Sequence, residues 1–233
     1  PERGGSLFEL DYKPKAFNLI NTLARRKEGG GSLLDHFLPP DTDLEKFNSL
    51  DYREAGDFAS GRYAFMPGRK EAEVMLRLSR QGSVDGAPVK VEKAVSLLSK
   101  HSIFTVEYEV TNLGGEPDEF WFGVEFNLSL LAGNSPDRYY VIENTALEDR
   151  SLGSRGETNR VRALKLVDEW SGFDVLLEMN KPALLWRFPI ETLFRSEQGK
   201  GKSYQSSVVF PSWKFRLGSK ESWNVKITLR IEE

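Results

Sequence analysis

The 233 residues contain no cysteine, which excludes disulfides, thiolate metal sites and cysteine nucleophiles together. A thiol-free chain suits a reducing compartment, so a cytoplasmic location is expected. Histidine is almost as scarce. His36 and His101 are the two present, too few for a multi-histidine metal centre. No run approaches the roughly 18 consecutive apolar residues of a membrane helix, and no membrane partner is expected. An excess of one charge is missing as well: 32 Lys and Arg against 35 Asp and Glu leave a formal net charge of -3. Phosphate neutralisation calls for a basic stripe, none stands out, and nucleic acid is not expected as a partner. The acidic runs Asp41-Thr42-Asp43 and Glu116-Pro117-Asp118-Glu119 lack the spacing of a calcium loop and read as solvated. Nothing in the chain calls for a cofactor.

What is present is period-two alternation. Ile103-Phe104-Thr105-Val106-Glu107-Tyr108-Glu109-Val110 sets apolar residues on one face and carboxylates on the other, the pattern of a half-buried strand. Leu76–Arg80 and Val89–Val95 alternate in the same way. Phe120–Leu128 follows a Gly-Gly-Glu-Pro-Asp connection with the composition of a hairpin loop. Further strands are expected over 160–167, 173–179, 183–188, 204–210 and 223–231. Helical signals are few: Asp41 or Thr42 could cap a short helix through Asp43–Phe47. Many strands joined by polar turns imply an all-β fold of two packed antiparallel sheets, in one domain spanning 1–233.

The chain opens at Pro1 without a methionine, as a fragment or processed chain would. Gly29-Gly30-Gly31-Ser32 sits between a charged segment and apolar Leu33-Leu34 and has linker composition. It reads as an engineered splice at 29–32 in place of a longer excursion, or else as a natural glycine turn.

Several blocks resemble, in order, the C-terminal β domain of family 57 glycoside hydrolases, the α-amylases and 4-α-glucanotransferases of that family. These are Gly5-Ser6-Leu7-Phe8-Glu9-Leu10-Asp11-Tyr12-Lys13-Pro14-Lys15, then Asn18–Glu28, Asp35-His36-Phe37-Leu38, Phe122–Leu128, Trp186–Leu193 and Ser196-Glu197. The resemblance covers essentially the whole chain. It implies a galactose-mutarotase-like supersandwich, a large antiparallel two-sheet fold. It also implies that the catalytic carboxylates belong to an N-terminal catalytic barrel, the expected partner, and that α-glucan is the substrate class. One departure stands out. In the family a stretch rich in histidine, tyrosine and arginine precedes the Asp-His-Phe block, where this chain has Gly-Gly-Gly-Ser.

Candidate sugar contacts follow from residue chemistry. Glu125 and Asn127, two apart on one strand, share a face and could bracket vicinal hydroxyls by accepting and donating hydrogen bonds; an internally paired face is the plainer alternative. Trp186, Arg187, Glu191 and Glu197 form a second group, an indole that could stack on a pyranose beside groups that bind hydroxyls. A tryptophan inside Leu184-Leu185-Trp186 is more often core. Trp170, just before Ser171-Gly172, is the better placed platform. The resemblance implies a non-catalytic accessory domain beside the catalytic barrel, with weak α-glucan contact expected around Glu125, Asn127, Arg187 and Glu191. An independent carbohydrate-binding module would need Trp170 and Trp186 facing solvent. An aldose-epimerase-like enzyme would need a histidine beside a carboxylate in a pocket.

Overall fold

A computed structural model describes residues 32–70, 72–98, 101–196 and 199–233. The blocks before Ser32, the glycines of the Gly29–Ser32 run, and Glu197 lie outside the described residues. Among these residues there are eleven strands and one helix. The strands are β1 (Leu34–Phe37), β2 (Ala64–Lys70), β3 (Glu73–Val84), β4 (Ala87–Leu98), β5 (Ile103–Asn112) and β6 (Asp118–Leu128). They continue as β7 (Arg138–Ile142), β8 (Gly156–Asp168), β9 (Phe173–Ser196), β10 (Gly199–Leu217) and β11 (Ser222–Glu232). The helix, α1, spans Leu44–Ser49.

All eleven strands belong to one antiparallel hydrogen-bonded sheet in the order β1-β6-β10-β9-β11-β5-β4-β3-β2, with β8 on β9 and β7 on β8. The sheet doubles back on itself through β9. Its first part, Asp174–Met179, pairs with β11, and its later part, from Leu184 onward, pairs with β10. Between them stands Pro182, which has no N–H to give to a ladder. On the neighbouring β8 the register shifts on either side of Val161, and Arg160 adopts a left-handed φ of 60°. Such irregularities bend strands, and here they let the two parts of β9 serve different layers. The first layer is β2-β3-β4-β5-β11 with early β9; the second is β1-β6-β10 with late β9.

The core lies between the layers and is filled by the apolar half of each alternating strand. Val106, Tyr108 and Val110 of β5 and Val225, Ile227 and Leu229 of β11 are buried, as are Phe120, Phe122, Val124 and Phe126 of β6. Contact across the layers is direct: the Tyr108 and Phe122 rings sit 5.3 Å apart, and Phe215 stacks on Trp223 at 4.3 Å.

The Gly-Gly-Glu-Pro segment does not close a hairpin. β5 pairs with β4 and β11, β6 with β1 and β10, so this loop carries the chain from one layer to the other. Buried Asn112 pins the crossing. Its amide donates to Glu116 O (2.8 Å) and Leu217 O (3.3 Å), and its Oδ1 accepts from Gly114 N (2.8 Å). Asn112→Ala leaves those backbone groups without their partner and should cost about 1–3 kcal/mol, read as a lower urea midpoint with unchanged m.

Candidate functional site

β6 has both faces buried, which its period-two pattern alone would not indicate. Phe120, Phe122, Val124, Phe126 and Leu128 face the core; Trp121, Gly123, Glu125 and Asn127 point outward and are covered. The cover is a second apolar cluster of Leu38, Phe47, Trp121, Trp186, Phe188, Val208 and Phe210, with Leu44 and Tyr52 packed against it. Phe47 comes from α1. That helix is capped by Asp43, whose carboxylate accepts from Lys46 N at 2.8 Å. Of the two expected caps, Asp41 instead binds the Lys46 ammonium and Thr42 lies one residue before the cap. Gly123 is needed in this packing, because a Cβ there would overlap the Phe210 ring.

Inside the cover lies a polar knot. Glu125 (6% exposed) and Asn127 (5%) do share a face, and Asn127 Nδ2 donates to Glu125 Oε1 at 2.7 Å. His36, beside Gly123 on β1, bridges two carboxylates: Nδ1 lies 2.5 Å from Glu54 Oε1 and Nε2 3.4 Å from Glu125 Oε2. The Tyr52 hydroxyl donates to the same Glu54 oxygen at 2.6 Å. Phe47 and Phe210 present ring contacts to the imidazole at 5.3 and 5.6 Å. Burial opposes the charged imidazole, but the Glu125 and Glu54 carboxylates outweigh it, and the His36 pKa is pushed up to about 9. A buried imidazolium held between two carboxylates is a cross-link.

The remaining candidates are dispersed. Trp186 is 1% exposed, stacks with Phe210 at 5.7 Å, and donates from Nε1 to Glu157 Oε2 at 2.7 Å. It belongs to the packing, as the core alternative held. Arg187 follows it on the strand and so points the other way, opposite Val209 of the core. It reaches the Ser154 hydroxyl and Asp149 O and lies 5.1 Å over the Tyr140 ring; burial lowers its pKa. Glu191 alternates with Arg187 and stands opposite Tyr204. The expected cluster of Glu125, Asn127, Arg187 and Glu191 on one concave face is therefore split between two faces, because Glu125 and Asn127 align with Phe210 and Val208 while Arg187 aligns with Val209. Trp170 stands apart at the tip of the β8–β9 turn, 79% exposed, where Gly172 supplies a φ of 67°. His101 is exposed just before β5.

Among the described residues no group of three or more Asp, Glu or His is placed to hold a metal ion, and no helix is long and apolar enough to cross a membrane. One set of groups was not singled out from sequence: the outward side chains of the first layer, including Arg77, Glu107, Glu109 and Lys226, which line a hollow of about 860 Å³. Their signal was the polar half of the alternation in β3, β5 and β11, which reads by itself as a solvated face.

The raised His36 pKa fixes the sign of a pH effect. The proton is held more tightly in the folded chain, so its contribution is complete below about pH 6.5, the unfolded value, and is lost as pH rises through about 9. Melting temperature should fall between pH 6.5 and 10 in the parent sequence, and His36→Gln should flatten that part of the profile.

Comparison with known proteins places this architecture. The sequence profile described as "Alpha-amylase/4-alpha-glucanotransferase, C-terminal" matches residues 1–29 and 31–227. The 4-alpha-glucanotransferase of Thermococcus kodakarensis is 31% identical over 270 residues, covering 95% of this chain and 37% of that protein. Alpha-amylase 1 of Dictyoglomus thermophilum is 28% identical over 273 residues, covering 100% of this chain and 38% of the relative. The chain thus spans little more than a third of the length of these relatives. The crystal structure of 4-alpha-glucanotransferase from Thermococcus litoralis superposes with a TM-score of 0.67 at 24% identity, over 95% of this chain and 30% of that one. A putative aldose 1-epimerase from Escherichia coli K12 gives 0.55 at 15% identity, over 78% and 72% of the two chains; it shares the fold. The match over nearly every residue settles membership: the chain belongs to the α-amylase/4-α-glucanotransferase C-terminal domain family.

Proposed function

We propose that this domain performs no chemistry of its own and packs beside the N-terminal catalytic barrel of a parent chain that acts on α-glucans. The observation that carries this reading is the enclosure of His36, Glu125 and Asn127. Acid–base work on a sugar needs a histidine or carboxylate within reach of the ring oxygen and anomeric hydroxyl. Here His36 and Glu125 are buried, and the imidazole commits Nδ1 to Glu54 and faces Glu125 with Nε2 at 3.4 Å, both carboxylates of its own domain. The short span of the chain relative to its relatives supports a catalytic centre elsewhere, and kinship of fold with an epimerase does not transfer activity.

A free-standing carbohydrate-binding module is the second reading, favoured by exposed Trp170 and disfavoured by buried Trp186. Two measurements test the first reading. Polarimetry of freshly dissolved α-D-glucose should show no acceleration of anomer interconversion by this chain; acceleration that disappears in His36→Gln would overturn the non-catalytic reading. In a full-length parent enzyme, removing this domain should speed thermal inactivation of the catalytic portion; an unchanged inactivation rate would overturn the packing role.

A further inference from the structure

The two layers differ in what lies on their outer faces. The outer face of the second layer is covered by α1 and the Phe47 cluster. On the first layer the outward side chains of β3, β4, β5 and β11 surround an open hollow of about 860 Å³, within the roughly 300–1,000 Å³ range of ligand sites. We infer that this hollow is a second, unassigned binding surface, and that its ligand is a neutral α-glucan oligosaccharide. The α-linkage rests on the functional reading above; the site itself rests on the geometry that follows.

Pairing registers place the contacts. One row across the strands runs Asn224, Glu109, Glu92, Ser79; the next runs Lys226, Glu107, Ala94, Arg77 and ends at Met66. Ala94 and Ser79 are short, so they form a floor between longer side chains. Carboxylates accept, the guanidinium and ammonium donate, and the Asn224 amide does both, which matches the mixed demands of vicinal hydroxyls. Both charge signs are interspersed, so no single-sign field forms of the kind that would select a polyanion or polycation.

Three of these five charges, Lys226, Glu107 and Glu92, are already engaged. Lys226 binds Glu107 at 3.0 Å and Lys90 binds Glu92 at 2.8 Å. Arg77 and Glu109 are exposed and have no side-chain hydrogen bond or ion pair among the described residues. Glu109 also stands directly opposite Glu92, a like-charge pairing that is unfavourable in a sheet and is relieved by hydroxyls donating between the two. At the end of the second row Met66, largely exposed on edge strand β2, offers a flexible apolar contact for the C–H face of a pyranose.

The test is a backbone-amide NMR titration of the 233-residue chain with maltoheptaose, with cellohexaose as control. Saturable shifts centred on Arg77, Ala94, Glu107 and Glu109, with maltoheptaose alone, are the expected result. Arg77→Ala and Glu109→Gln should each weaken binding about tenfold, the loss of a charge-assisted hydrogen bond, with no fall in melting temperature, because both side chains are exposed and the glutamine removes the repulsion from Glu92. Four results overturn the inference: shifts centred elsewhere, such as the Trp170 turn; equal binding of cellohexaose; full affinity in both variants; or no shift at millimolar ligand. Each leaves the packing role intact, because that role is read from inactivation of the full-length enzyme and not from sugar binding.

Discussion

Between the two layers the Asp35 carboxylate meets the Lys93 ammonium at 2.7 Å, with both side chains almost wholly buried. Removing two charges from water costs several kcal/mol per ion, and their attraction offsets this only where further hydrogen bonds complete both groups. They do so here. The Tyr63 hydroxyl donates to the same Asp35 oxygen at 2.5 Å, Lys93 also donates to Leu33 O at 3.0 Å, and the Tyr63 and Tyr108 rings lie 4.7 and 5.6 Å from the ammonium. Burial and the adjacent Asp35 charge push both tyrosines well above their usual range, so both stay neutral and Tyr63 keeps the proton it donates. Asp35 belongs to β1 in the second layer and Lys93 to β4 in the first, and the pair fixes where the layers meet.

Its neighbour in sequence fastens the other side. Strand pleating sends Asp35 and Phe37 into the core and His36 outward beside Gly123, where the imidazole ties Glu125 of β6 to Glu54 of the segment after α1. A four-residue edge strand thus joins three parts: the first layer, the second layer and the cover over its outer face. The polar groups of β1 and its partners hold the layers together, which is why His36, Glu125 and Asn127 are out of reach of solvent. Among the described residues, the outer face of the first layer and the turn tip at Trp170 remain open to solvent.

Much of this was legible in the residues. The alternation in β5 predicted Val106, Tyr108 and Val110 inward with Glu107 and Glu109 outward, and that is the observed burial. Other features depend on distant contacts. The Gly-Gly-Glu-Pro segment has hairpin composition, but strand pairing, which local sequence does not encode, sends β6 to another layer. Glu125 and Asn127 were placed on one face by their spacing; that this face is covered follows from Phe47 and Tyr52, dozens of residues away, whose short helix carries a weak signal. Arg187 was grouped with Glu125 because both carry groups that bind sugar hydroxyls. Only the register against β10 shows that they point in opposite directions. The polar face of the first layer was visible as alternation, yet nothing local distinguishes a hollow from a flat solvated sheet.

The claim that buried polar groups of β1 fasten the layers is tested most directly by a double-mutant cycle on Asp35→Asn and Lys93→Met, followed by urea denaturation. Each single change strands or weakens a buried partner and is expected to cost about 3–5 kcal/mol, while the double variant should cost much less than the sum. That coupling would identify the pair as the tie between layers. Additive costs, with no coupling beyond about 0.5 kcal/mol, would contradict the account and reduce Asp35 and Lys93 to independent residents of the core.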